Sequence, residues 1–157
     1  MTGRNLRLAV VGVGHLGRHH ARLLAAMDGV HALTDITGFG LLGHLLELAR
    51  GANLGAELDM ASIPLLPNVD QLARDGFVTG ASHRNWDAYG KDVTLAAGVA
   101  PFQQALLTDP QTSGGLLVSV DAANVDAVLA LFAAGGFGEA RVIGRMVDGA
   151  ARVTVSA

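Results

Sequence analysis

No cysteine occurs in this sequence, which excludes a disulfide framework, a thiolate metal site and a thiol nucleophile, and leaves the redox compartment open. Lysine is nearly absent as well: Lys91 is the one lysine among 11 basic residues, and the arginines are scattered along the chain. With a formal charge of −3 there is no basic surface for a phosphate backbone, so no nucleic-acid partner is expected. Aromatic residues make up 4% of the chain, and Trp86, the single tryptophan, reads as packing and not as a platform for a base. Long hydrophobic runs are missing too. The longest near-apolar run, residues 127–138, is too short to span a bilayer and contains two adjacent glycines. Behind Arg4 and Arg7 an apolar run begins as a secretory leader would, but Gly12, Gly14 and His15 interrupt it. The expectation is a cytoplasmic protein with no membrane partner.

What is present suits a globular α/β domain. Hydrophobic residues make up 50% and charged residues 16% of 157 residues, enough for one sizeable core with at most an appendage. Two glycine-containing stretches stand out. Thr34-Asp35-Ile36-Thr37-Gly38-Phe39-Gly40 follows a short apolar run and leads into an apolar-periodic helix over residues 41–50, whose Leu41, Leu42, Leu45, Leu46 and Ala49 share one face. A carboxylate followed by glycines at a helix start suits phosphate or metal-phosphate binding. Glycine lets backbone N–H groups approach an anion, the helix start supplies unpaired donors, and Asp35 can hold a divalent cation. Asp109-Pro110-Gln111-Thr112-Ser113-Gly114-Gly115 repeats that chemistry before an apolar strand over residues 116–120. On chemistry alone a plainer reading stays open for both: a helix entry with a threonine cap, and a Pro/Gly turn before a strand.

Residues 5–30 read as a βα unit. A β-rich run over residues 6–11 leads into Gly12-Val13-Gly14-His15-Leu16-Gly17 and an Ala/Leu/Arg helix over residues 18–27. Gly12, Gly14 and Gly17 are the dinucleotide-binding candidates, with Asp35 placed for a ribose hydroxyl. The segment resembles the opening of the glucose-fructose oxidoreductase family, in residues 14–21 above all. NAD(P) binding is therefore one reading. It covers a single βα step, however, whereas a dinucleotide crevice needs two such halves. His15 and His19 stand one helical turn apart and His20 adjoins them, but no acidic partner lies at ligand spacing, so solvated histidines are favoured over a metal site.

Further along, residues 56–60 alternate as a half-buried strand with Glu57 and Asp59 on its solvated face, and Asn68 caps a short helix over residues 69–75 that Gly76 ends. Residues 77–100 are the least regular part and read as an ordered loop. After the strand at 116–120, Asp121 caps a helix with Val125, Val128, Leu129 and Phe132 on one face, stopped by Gly135-Gly136. A strand over residues 140–147 and another over residues 152–155 flank Asp148-Gly149, the strongest hairpin signal in the chain. The fold expected is α/β (α+β): a mixed sheet with helices packed on it, with a Rossmann-like βα appendage over residues 1–30 and one domain over residues 31–157, the two together forming one compact domain. The strand at 6–11 should dock on that sheet, or on a second copy if its edge is left free.

The two glycine stretches, taken with Gly29-Val30-His31-Ala32-Leu33, Pro64-Leu65-Leu66-Pro67, residues 80–85, Tyr89-Gly90 and Val142-Ile143-Gly144-Arg145, resemble the C-terminal domain of selenophosphate synthetase (selenide, water dikinase), of the superfamily that includes aminoimidazole ribonucleotide synthetase. The resemblance implies that superfamily's C-terminal fold, ATP and magnesium as cofactors, and the making of selenophosphate from selenide. It implies Asp35 as a magnesium ligand, and the chemistry of the two stretches adds Asp109 as a further metal candidate and Thr37, Gly38, Gly40, Thr112, Ser113, Gly114 and Gly115 as the phosphate-facing candidates. It also implies that Arg84-Asn85 and Tyr89-Gly90 pack beside the active-site cleft. The family's N-terminal domain, with its glycine-rich loop, reactive cysteine or selenocysteine, essential lysine, further magnesium aspartates and dimer interface, has no counterpart here. A weak magnesium or phosphate site without turnover is therefore expected, and the partners expected are a missing chain that carries the N-terminal domain or, through a free edge of the strand at 6–11, a second copy in a homodimer. The alternatives are an NAD(P)-binding module and a structural chimera or fusion, joined near Gly29, with no ligand.

Overall fold

The computed structural model describes residues 27–157 in full and, before them, the backbone of one strand over residues 6–12. Gly14 and Gly17 of the dinucleotide reading, and His15, His19 and His20, lie outside the described residues. The described strands are β1 (Leu6–Gly12), β2 (Val30–Asp35), β3 (Gly55–Asp59), β4 (Val93–Leu95), β5 (Gly115–Asp121), β6 (Arg141–Val147) and β7 (Val153–Ser156). They form one sheet in the order β2-β5-β1-β6-β3-β7-β4. The helices are α1 (Gly40–Ala52), α2 (Val69–Arg74), α3 (Gly80–Tyr89), α4 (Pro101–Thr108) and α5 (Val125–Ala134). The sheet is mixed: β3–β7 and β7–β4 pair parallel, and the other pairs are antiparallel.

Strand β5 shows why the sheet carries helices on both faces. Its residues from Gly115 to Val120 are all buried, and period-two alternation divides them between two cores. Leu117 joins Leu42, Leu45, Leu46, Leu58, Ile143 and Val155 under α1. Leu116, Val118 and Val120 join Val128 and Phe132 under α5. The α1 face marked by its leucines is buried as expected, with Leu42, Leu45 and Leu46 at 0% exposure. Each such side chain contributes about 2 kcal/mol by leaving water. Asn53, at φ 53, ends α1 in the left-handed conformation, its N–H returning to the Ala49 and Arg50 carbonyls.

Strand β1 docks on the sheet in an interior position. It pairs antiparallel with β5 from Leu6–Asp121 to Gly12–Gly115, and antiparallel with β6 on its other side. Both edges are used within the chain, so it offers no free edge to a second copy. Gly12 ends a strand with antiparallel neighbours, whereas dinucleotide crevices open at the carboxyl ends of parallel strands.

Three expectations are corrected. Asp148-Gly149 does not close a hairpin: β6 and β7 each pair with β3, which lies between them, antiparallel to one and parallel to the other. The turn still reverses the chain, but it reaches over a strand that supplies ladder partners on both edges. Residues 77–100 are not an irregular loop, since they contain the ten-residue helix α3 and the short strand β4. Thr79 caps α3, its hydroxyl accepting from the Ser82 N–H at 3.2 Å. The third correction concerns caps. Asn68 and Asp121 stand at the ends of helical segments but make no side-chain cap bond. Asp121 instead pairs with His31 at 2.9 Å. Thr37 is not the cap of α1, whose N-cap position is Phe39.

Candidate functional site

The two glycine stretches meet. Strands β2 and β5 are neighbours with Asp35 opposite Leu116, so the turn after β2 and the turn before β5 emerge side by side. The ladder continues into them: the Ile36 N–H donates to the Gly115 carbonyl at 2.9 Å, and the Gln111 N–H donates to the Thr37 carbonyl at 3.0 Å. Two glycines are required by this closeness. A Cβ on Gly114 would run into the Ile36 carbonyl oxygen. Gly40 has φ +68, and its Cβ would come within 2.7 Å of the Thr108 carbonyl carbon.

Helix α3 holds the turns from the side. The Asn85 amide nitrogen donates to the Gly38 and Thr108 carbonyls, both at 2.9 Å, so one side chain ties the first stretch to the end of α4, where the second stretch begins. The Tyr89 hydroxyl donates to the Phe39 carbonyl at 2.6 Å. Below them Ser82 and Thr108 share a buried hydroxyl bond of 2.7 Å that joins α3 to α4. No peptide is cis among the described residues, and a trans peptide sets its N–H opposite its carbonyl. Anchoring the Gly38 oxygen on Asn85 therefore turns the Phe39 N–H away from α3. Burial raises the Tyr89 phenol to about 12, against a smaller opposing contribution from its hydrogen bond with the Gly43 backbone.

A buried histidine absent from the sequence-based candidates joins the arrangement. His44, 7% exposed, lies 3.1 Å from the Thr37 hydroxyl through Nε2 and 2.9 Å from Glu47 through Nδ1. The Phe39 ring is tilted against it with centroids 5.7 Å apart. The available signal was one polar residue on the face of α1 that buries leucines.

The predicted acidic residues part company. Asp35 is exposed at the end of β2, and among the described residues its carboxylate has no hydrogen-bond or ion-pair partner. Asp109 is turned elsewhere: its carboxylate accepts from the Thr79 hydroxyl at 2.8 Å and borders a small cavity beside Leu72 and Phe77. Thr112 and Ser113 are exposed. Among the described residues no three His, Asp or Glu side chains converge on one point. That donor set fits magnesium in its usual mode, with one carboxylate, waters and substrate phosphates, and does not fit a cation caged by protein alone.

Beside the turns lies a cleft of about 600 Å³. Ile36 lines it from the first stretch and Gln111, Ser113 and Gly115 from the second, facing apolar Met60, Pro64, Leu65 and Leu106. Its cation is Arg141, paired with Glu139 at 2.6 Å, which the sequence reading also passed over. Among the described residues no helix is long and apolar enough to cross a membrane.

A seven-stranded mixed sheet with two glycine turns interlocked at one end places the chain in a family. Residues 18–156 match AIR synthase related protein, C-terminal domain, and the chain belongs to that family. Within it, the sequence is selenophosphate synthetase-like. It is 65% identical over 133 residues to a selenide, water dikinase of Burkholderia ambifaria, covering 85% of this chain and 38% of that relative. It is 62% identical over 132 residues to one from Pseudomonas straminea, covering 84% of this chain and 37% of that relative. The chain thus spans under two fifths of the length of these relatives. The crystal structure of the hydrogenase maturation protein HypE of E. coli shares the fold, with TM-score 0.69 at 19% identity, covering 99% of this chain and 47% of that one.

Proposed function

We propose that this domain supplies the metal-facing and phosphate-facing side of an ATP-dependent selenide, water dikinase site. Asp35 is the carboxylate for magnesium, and the backbone N–H groups of the turns at 37–40 and 112–115 face phosphate oxygens. Magnesium, when bound, neutralises charge developing on a transferred phosphoryl group. The observation that carries the reading is the interlock of the two turns through Ile36–Gly115 and Gln111–Thr37. It brings a carboxylate unpartnered among the described residues, glycine-borne amides and two exposed hydroxyls to one end of the sheet.

One carboxylate and a few amides hold a hydrated ion weakly, on the order of 4 kcal/mol or a millimolar dissociation constant. Turnover needs the further groups that the family resemblance assigns to an N-terminal domain. With no cysteine and one lysine, these residues lack their counterparts. A partner chain bearing them completes the site in a cytoplasmic setting where ATP is available. The test is the melting temperature with ATP and magnesium, with NAD(P)H, and with neither, since a ligand that binds only the folded state raises it. A rise with ATP and magnesium alone supports the reading. A rise with NAD(P)H would favour the dinucleotide module, and no rise at tens of millimolar ligand would favour a ligand-free chimera.

A further inference from the structure

We propose that Thr37 works in this site as a hydrogen-bond acceptor, fixed in that role by His44 and Glu47, and so receives a water or another O–H or N–H donor instead of a phosphate oxygen. The ligand half of this inference rests on the magnesium-phosphate reading, whereas the orientation of the hydroxyl does not. Glu47 approaches His44 Nδ1 at 2.9 Å, and an ionised carboxylate can only accept, so the ring hydrogen sits on Nδ1. With that as its one ring hydrogen, the form proposed here, the imidazole presents a lone pair at Nε2. Thr37, 3.1 Å from that nitrogen, then donates to it. The hydroxyl has one hydrogen and spends it inward. What remains toward solvent, where Thr37 is exposed, is a pair of lone pairs.

A fully ionised phosphate oxygen is an acceptor and gains nothing from such a group. A water carried by a magnesium ion, or an ammonium or guanidinium, is a donor and does. The chemistry of the turns thereby divides. Backbone N–H groups, with the exposed Thr112 and Ser113 hydroxyls, are the donors for phosphate. Thr37 takes the hydrogen of a donor such as a water on the cation side. His44 is a positioning residue in this scheme and touches no ligand. A histidine that merely filled the core would have no reason to place one nitrogen on an exposed motif hydroxyl and the other on an exposed carboxylate one turn along the helix.

The first test is the tautomer of His44, read by nitrogen-15 NMR of the imidazole in this chain at pH 7.5. A neutral ring with hydrogen on Nδ1 is expected. Hydrogen on Nε2, or on both nitrogens, would overturn the proposal. Glu47→Ala, at an exposed position, should let the ring sample both tautomers, and an unchanged ring signal would count equally against it. The second test compares Thr37→Val with the unaltered chain for binding of pyrophosphate. Without magnesium the dissociation constant should stay within about twofold, and with magnesium it should rise about fivefold, the loss of one ordinary hydrogen bond. A fivefold rise without magnesium would show that Thr37 donates to phosphate. If the unaltered chain binds pyrophosphate under neither condition, the magnesium-phosphate reading fails, and the tautomer still decides the orientation.

Discussion

Removing the Asn85 side chain is the sharpest perturbation of the interlock. Its amide donates to two carbonyls at 2.9 Å, Gly38 from the first turn and Thr108 from the end of α4. An ordinary hydrogen bond contributes about 1 kcal/mol net, and a buried acceptor left bare costs more than an exposed one that water reaches. The Gly38 bond lies at the surface and the Thr108 bond is partly buried. Asn85→Ala should therefore cost about 2 kcal/mol, weighted toward Thr108. For a domain of this size that is a fall of about 6 °C in melting temperature. Calorimetry measures the loss, and amide hydrogen exchange locates it: residues 37–40 should lose protection by more than the global change while β5 loses no more than that change. Full stability, or a loss spread evenly over every amide, would refute the claim that Asn85 ties the first turn to the end of α4.

Other expected outcomes follow the same geometry. Gly114→Ala should destabilise the fold by about 2 kcal/mol or more in urea unfolding, because the added carbon meets the Ile36 carbonyl, whereas Gly138→Ala, where nothing lies within 4 Å, should change it by less than about 0.5 kcal/mol. Tyr89 adds a pH dependence. Its folded value, about 12 against a usual 10.0, means that the folded chain holds the proton more tightly than the unfolded chain. Its contribution is therefore complete below pH 10 and is lost as pH rises from about 10 to about 12. Tyr89→Phe should flatten the fall of stability over that window, and an identical slope in both proteins would contradict the assignment. The Glu57–Arg145 pair at 2.6 Å is about half exposed, so Glu57→Ala should cost less than about 0.5 kcal/mol in the same unfolding assay.

Local chemistry made part of this architecture legible. The leucine spacing of α1 gave its buried face, and the run before Asp121 gave the strand β5, because in each case the period follows from backbone geometry alone. Pairing between distant segments was another matter. Asp148-Gly149 is a good turn, but turn chemistry reports only that the chain reverses, and whether β3 comes between the two arms depends on contacts some 90 residues away in sequence. The interior place of β1 was hidden for the same reason. Helix α3 escaped notice because it buries only Ser82 and Tyr89 and so carries no apolar stripe, and glycines at positions 80 and 90 looked like loop punctuation. At the site, the residue types of both turns were legible. The groups that hold them, Asn85, Tyr89 and His44, act through backbone carbonyls and one hydroxyl, a role that residue type alone does not announce.

The central claim is that both turns and Asp35 form one cation-phosphate site. Manganese tests it most directly, because it replaces magnesium chemically and broadens the NMR signals of nearby amides. With ATP present, substoichiometric manganese should broaden amides of residues 35–40 together with those of residues 112–115, and Asp35→Asn should abolish both effects at the same concentrations. Broadening confined to other carboxylates such as Glu57 and Asp59, or broadening of the turns that survives Asp35→Asn, would contradict it.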